Sequence, residues 1–378
     1  MKEGWEYKTL GEIATEMYRG SGIKRDQVTK EGTPCVRYGE IYTTYNISFD
    51  TCASHTKIEN VTSPKYFEYG DLLFAITGES VEDIGKTIAY MGDEKCLCGG
   101  DIICMKHHQN PKYLAYALST PDAIRQKGIG KTKLKVVHTN APALKAISIP
   151  LAPLSEQQSI VDYLDSAFAK IDAMKANAEK RLNEAQALFQ ASLKKMLEPK
   201  EGWEEKTLPD ISENLDSKRK PVTKGKREAG IYPYYGASGI VDYVSDYIID
   251  DDILLISEDG ANLVARSTPI AFSVSGKVWV NNHAHILKFQ NIYTQYFVEY
   301  YFASIKIDEY VTGAAQPKFS QKNMNKLPIW IPSLSEQQSI VATLDSLKSK
   351  VDRLQANYEK ISQECDALKQ AILRQVFE

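Results

Sequence analysis

The chain repeats itself, and the repeat limits what it can fold into more than any other feature. LSEQQSIVDYLDS (154–166) returns as LSEQQSIVATLDS (334–346), identical at 11 of 13 positions. At the same offset of 180, residues 167–198 match 347–378 at 13 of 32 positions, among them Lys170/Lys350, Asp172/Asp352, Asn177/Asn357 and Leu193/Leu373. A second echo marks the starts: GWEYKTLGEIA begins at Gly4 and GWEEKTLPDIS at Gly202. Self-similarity at this spacing means two copies of one structural plan. Each copy is a divergent globular part followed by a near-identical tail. The boundaries fall at 1–153, 154–201, 202–333 and 334–378.

The tails read as long helices. Neither Gly nor Pro interrupts 155–198 or 335–378. Ser155 and Ser335 are suited to N-cap, with Gln158 and Gln338 three residues on completing a capping box. In the second copy apolar residues fall at Ile340, Leu344, Leu347, Val351, Leu354, Tyr358, Ile361, Cys365, Leu368 and Ile372. Alternate steps of four and three predict a coiled-coil seam. The first copy keeps it through Ile160, Leu164, Ala167, Ile171 and Met174, then drifts to Leu182, Phe189 and Met196. Each helix could reach about 66 Å at 1.5 Å per residue. The first ends four residues before the second GWE, so the second globular part belongs at its far end. An antiparallel second helix would then return Glu378 to the first part, giving a pseudo-twofold dumbbell.

The globular parts read as α+β, with strands first and a helix late. Strands are expected at DLLFAIT (71–77), KTIAYM (86–91) and DIICMK (101–106). The second part offers DILLIS (252–257), TPIAFSV (268–274) and HAHILKF (283–289). Helices are expected at PKYLAYALST (111–120) and IYTQYFVEYYFAS (292–304).

Composition narrows the function classes. Hydrophobic residues make 43% and charged residues 25% of 378, as in an ordinary globular protein. No window suits a membrane span, and the N-terminal stretch has no apolar signal region, so a cytoplasmic protein is expected. The six cysteines are irregularly spaced and read as free thiols. Cys96-x-Cys98 with His107 and His108 lacks zinc-site spacing. His283 and His285 read as structural. No metal and no cofactor is expected.

Motifs that suggest an enzyme fail on inspection. GKT at 85–87 and 130–132 has Ser80 and Arg125 where a phosphate loop needs Gly. NPKY (110–113) carries Lys112 where a base-holding NPPY has Pro, and reads better as a helix start capped by Asn110. Glu258 and Asp259 beside Gly260 lack a nuclease's partner groups.

The opening GWE-x-x-x-L, the IP…LSEQQSIV helix entry seen twice, and two divergent parts resemble the specificity subunits of type I restriction–modification enzymes. YPYYGASGI (232–240), SEDGANL (257–263), KVWVNNHAHIL (277–287) and TGAAQPKFS (312–320) resemble target-recognition segments of that family. The resemblance implies two α/β target-recognition domains separated by two long antiparallel coiled-coil helices. It implies partners: double-stranded DNA, two methyltransferase subunits and restriction/translocase subunits, with no membrane and no catalysis in the chain itself. Each domain would read half of a bipartite site, and the helices would fix the spacer. The competing readings are a coiled-coil scaffold that does not read DNA, and a self-sufficient methyltransferase or nuclease fragment.

Candidate DNA contacts follow from residue chemistry. Gly78, Lys86 and Arg37 in the first part, and Gly260, Asn262 and Arg266 in the second, are base or groove candidates, since Asn suits adenine and Arg guanine. The net charge is only −3, but KRKPVTKGKR (218–227) and RQKGIGKTKLK (125–135) are basic loops without acids. Lys131, Lys133, Lys135, Lys218, Arg219 and Lys220 are phosphate candidates. On the helices, Ile160, Leu164, Ile171, Ile340, Leu344 and Val351 are the expected docking positions for partners. Tyr38, Tyr42, Tyr45, Tyr232, Tyr234 and Tyr235 read as core packing.

Overall fold

The computed structural model describes residues 3–130 and 136–378. The chain forms two compact units: 1–177 with 359–378, and 178–358. Both long helices, Leu154–Met196 and Leu334–Phe377, are continuous across the division and contribute to each unit.

The two globular heads share one plan. In the first, Glu6–Thr9 pairs antiparallel with Ser148–Leu151. A sheet follows in the order Ala14–Arg19, Ile102–His107, Leu72–Ala75, Thr87–Tyr90, Ser48–Phe49. In the second, Glu204–Lys206 pairs with Ile329–Ile331. Its sheet runs Ser212–Asn214, Ala284–Phe289, Ile253–Ser257, Ala271–Val274. All six expected strands and both expected helices, Pro111–Ala117 and Ile292–Ser304, are present.

The strands are apolar without alternation because both sheet faces are covered. In the first head Leu72 and Phe74 face one core with Met105, while Leu73 and Ala75 face another with Ile88 and Cys104. In the second head Leu254 and Ile256 oppose Ile253 and Leu255 in the same way. The second covering layer is a sheet in each head. It is built on a parallel pair, Thr33–Val36 with Cys96–Cys98 in one and Ala229–Gly236 with Lys277–Val280 in the other.

The helix starts differ from expectation by two residues. They begin at Leu154 and Leu334, which places Ser155 and Ser335 inside the first turn. In the second copy Ser333 caps instead, its Oγ accepting from Glu336 N at 3.3 Å. In the first, Pro153 holds that position, and Glu156 N donates to its carbonyl at 2.8 Å.

The groups that seat each helix are Gln157 and Gln337, both buried. Gln157 Nε2 donates to Ala152 O at 2.9 Å, and its Oε1 accepts from Asn110 N at 2.9 Å. Gln337 Nε2 donates to Pro332 O at 2.9 Å, and its Oε1 accepts from Thr294 Oγ1 at 2.7 Å. The correspondence extends to tyrosine clamps, Tyr116 on Asp165 at 2.7 Å and Tyr300 on Asp345 at 2.6 Å.

Within the first unit the two helical segments run antiparallel. Lys175 meets Asp366 while Lys369 meets Asp172, so one number rises as the other falls. The seam departs from the heptad near the end. Leu368 is 48% exposed, and Leu373 and Phe377 are buried instead. Phe377 closes on Trp5 and Tyr113, with ring centroids 6.3 and 5.3 Å away. The GWE tryptophan is therefore the post on which a head meets a helix end. Trp203 plays this part in the second unit, beside Phe297 and in the same core as Leu197.

Candidate nucleic-acid interface

In the second head, several loops meet where the strand Ile253–Ser257 ends. Glu258 N donates to His283 O at 2.9 Å, and Phe319 N donates to Glu258 O at 2.7 Å. Gly260 N donates to Pro317 O at 3.0 Å, with Gly260 at a φ of +111° that favours glycine. Ser257 Oγ donates to Ala237 O in the turn of the hairpin Ala229–Gly236/Gly239–Val244. Four segments far apart in sequence thus form one surface of fixed shape.

A charge network locks it from beneath. Glu258 binds Arg219 and Lys318, the latter at 3.1 Å, while Asp216 meets Arg219 at 3.3 Å. His285, 1% exposed, places Nδ1 2.6 Å from Asp216 and Nε2 2.8 Å from Phe319 O. Burial pushes the Asp216 carboxyl up, but His285, the Ile286 N–H and Arg219 together outweigh it and hold the group below its usual range. The same balance, with Arg219, His285 and Lys318 against burial, lowers Glu258. The acids of the network bind within the head, while Lys218, Lys220, Asn282 and Gln316 are exposed.

The first head has the same junction with other chemistry. Ile76 N donates to Asp101 O at 3.0 Å, Thr139 N to Ile76 O at 3.0 Å, and Gly99 N to Val36 O at 2.9 Å. Arg37 follows the strand Thr33–Val36. Its backbone N–H donates to Glu40 at 2.9 Å, and the residue is half-buried, with no ion-pair partner for its guanidinium among the described residues.

Several candidates are committed elsewhere. Asn262 Oδ1 accepts from Ser267 Oγ and Thr268 N at 3.0 Å, and its Nδ2 donates to Thr268 O at 3.0 Å, so its amide pins a loop. Arg266, at φ +51°, donates to Phe302 O at 3.1 Å and Ile305 O at 3.0 Å, and so caps a helix. Lys86 Nζ donates to Tyr45 O at 2.9 Å, with its pKa lowered by burial. Gly78 is buried, and a Cβ there would stand 2.9 Å from Tyr42 Oη. Arg219 belongs to the charge network rather than to the surface. Gly260 shapes its loop.

Lys218 and Lys220 are exposed as a phosphate contact requires, and Lys131, Lys133 and Lys135 lie outside the described residues. Leu164, Ile171, Ile340 and Leu344 are buried, and Ile160 and Val351 are partly so. These side chains are packed within the chain and are not a free surface. The Cys96 thiol contacts Tyr90 Oη at 3.3 Å, while His107 Nδ1 accepts from Gln109 N, so these groups do not form a shared site. Among the described residues no cluster of His, Cys, Asp and Glu could hold a metal, and no helix is long and apolar enough to cross a membrane.

Sequence reasoning missed Asn282, Gln316 and the charge network. The signal available was the polar content of NNH and TGAAQPKFS, but which groups are spent internally depends on contacts between distant segments.

Comparison with known proteins agrees with this architecture. The family model of the type I restriction modification DNA specificity domain matches residues 2–184 and again 200–363. A putative type I restriction enzyme specificity subunit of Haemophilus influenzae is 35% identical over 155 residues, covering 41% of this chain and 40% of that protein. The putative MjaX specificity subunit of Methanocaldococcus jannaschii is 26% identical over 95% of this chain and 90% of its own. A solved structure concerned with complex assembly and conformational transition of the type I R-M system has a chain sharing the fold. It matches at TM-score 0.79 and 16% identity, covering 100% of this chain and 98% of that one. The chain belongs to the type I restriction modification DNA specificity family, as a specificity subunit that carries the family's domain twice.

Proposed function

We propose that each head of this noncatalytic subunit reads one half of a bipartite double-stranded DNA site. Residues 1–153 and 202–333 are the readers, and 154–201 and 334–378 the helices that set the unread spacer. The helices dock two methyltransferase subunits, restriction/translocase subunits join the assembly, and the complex acts in the cytoplasm. The observation that carries this reading is one scaffold repeated with different chemistry at the same strand-end junction. Two unlike readers held at a set separation discriminate unlike half-sites, as dimer spacing sets half-site spacing in other DNA-binding proteins.

The docking assignment draws on a second contrast. Leu154/Leu334, Ser155/Ser335, Gln158/Gln338 and Ser159/Ser339 are identical in the two copies and exposed in both. Leu188 and Leu368 also correspond, exposed at 62% and 48%. Exposed side chains add little to stability, so their identity in a duplicated chain favours a surface used twice by one kind of partner. The seam residues, by contrast, are occupied within the chain.

Methylome sequencing of cells co-expressing the chain with its methyltransferase tests the reading. A split motif with a fixed gap is expected, and a continuous palindrome would overturn it. Inserting a whole heptad into both helices should then change the gap and leave both half-site sequences readable.

A further inference from the structure

We propose that the second head recognises adenine in its half-site through the side-chain amides of Gln316 and Asn282. This rests on the reading above and specifies its chemistry. At the junction of the second head most polar side chains are spent inside the protein. Asn262 and Arg266 hold backbone, and Glu258, Asp216, Arg219 and His285 bind one another. Asp259 meets His283 at 2.9 Å, and Asn281 Oδ1 accepts from His283 N at 2.8 Å. Gln316 and Asn282 are exposed, and neither side chain makes a hydrogen bond among the described residues.

Both are presented on rigid backbone beside the same loop. Gln316 precedes Pro317, whose carbonyl accepts from Gly260 N, and Lys318, which is tied to Glu258. Its turn requires Gly313, at φ +88°, where a Cβ would lie 2.5 Å from Gln316 O. Asn282 precedes His283, whose carbonyl accepts from Glu258 N, and its own carbonyl accepts from Arg219 at 3.4 Å. The backbone that bears each amide is thus tied to residues 258–260. A fixed backbone limits the entropy lost when such a side chain engages a base.

An amide offers one donor and one acceptor side by side. In the major groove adenine presents N7 as acceptor and N6–H as donor, the complementary pair, whereas guanine presents two acceptors. Lys218 and Lys220, exposed nearby in sequence to the network's Arg219, carry no base information and supply phosphate contact.

The test uses the full chain in complex with its methyltransferase and duplexes bearing its split site. Replacing single adenines of the second half-site by 7-deazaadenine removes N7 alone. At one or two positions this should weaken wild-type binding roughly 5- to 100-fold, the range of a bidentate contact. Gln316→Ala or Asn282→Ala should abolish that sensitivity at its own position and leave the first half-site's discrimination unchanged. Gln316→Glu should shift preference there toward cytosine, whose N4–H donates to a carboxylate. Lys218→Ala should instead weaken all sequences equally and reduce the salt dependence. Variants with wild-type specificity at every position would overturn the assignment, as would loss of discrimination in the first half-site. A wild-type complex with no split site would fail the broader reading instead. Both side chains are exposed, so unchanged thermal unfolding is expected and separates readout from folding.

Discussion

The two heads share a plan and differ in one of their two cores. The first buries Cys35, Cys52, Cys96, Cys98 and Cys104, with a cluster of aromatic rings in the same core as most of them. There Tyr45 and Phe49 lie 4.3 Å apart, and Phe67 and Tyr90 4.9 Å. The second head has aliphatic residues in that place, Ile253, Leu255, Val278 and Val280, and sets a network of five charged or titratable side chains beneath its recognition loops. The central strands tolerate such divergence because they need only volume and apolarity on both faces. Chemistry can then change at the strand ends without altering the scaffold. The helix entries show the reverse, keeping even the hydrogen bonds of a buried glutamine.

The equivalence of the helix entries can be broken most directly in the core. Leu164 and Leu344 are fully buried at matching positions. Leu164→Ala and Leu344→Ala should each cost about 2–5 kcal/mol. Hydrogen exchange resolved by segment should place each loss in its own unit. A loss in both units from either change would mean that the units unfold together. Smaller effects are expected from Gln157→Ala and Gln337→Ala, about 1–3 kcal/mol each, because buried partners lose their hydrogen bonds. Gln157 should cost more in denaturant unfolding, since it also donates to Gln109 at 2.8 Å.

The sequence made the repeat, the central strands and the long helices legible because periodicity and composition specify them locally. DLLFAI and DILLIS cannot be half-exposed, and a stretch without Gly or Pro in 44 residues continues as helix. The second sheets were not legible. Many of their strands are short, as with Tyr66–Phe67 and Ile249–Asp250, and pair across distant sequence. The site was legible as a place, since SEDGANL and TGAAQPKFS do meet. It was not legible as a set of contacts. Asn262 and Arg266 have the chemistry of base readers, yet local backbone carbonyls and amides claim them first. The serine caps failed for a similar reason. Ser155 and Ser333 are equally good cap residues, and only the tertiary position of the helix start decides which residue serves.

Acid should separate the heads further. Asp216 and Glu258 are held below their ordinary values of 3.8 and 4.5. Their contribution is present above the unfolded values and is lost as pH falls through the folded ones. In the first head burial raises Asp71, so its ionised form is a cost that acid relieves. Protection of amides near Glu258 should therefore fall as pH drops below 4.5, more steeply than that of amides near Asp71. Asp216→Asn should flatten the second head's slope, and equal slopes before and after the change would exclude the network as its source.

The smallest contrast is expected on the alkaline side and belongs to the first head alone. Lys127 comes from a basic run but is buried, its Nζ donating to Leu118 O at 2.8 Å and Thr87 Oγ1 at 3.1 Å. Desolvation lowers its pKa to about 7 from 10.5. Above pH 7 the unfolded chain therefore binds more protons at this position than the folded one, and stability rises with pH. The rise should be visible up to about pH 8.5; beyond that the buried thiols, whose pKa values burial raises, contribute the opposite slope. Lys127→Met preserves much of the side-chain volume and removes the titration. It should make exchange-measured stability of the first head flat between pH 7 and 8.5, with the second head unchanged. A wild-type head already flat over that interval would show that Lys127 keeps its charge when buried, held by its two oxygen partners.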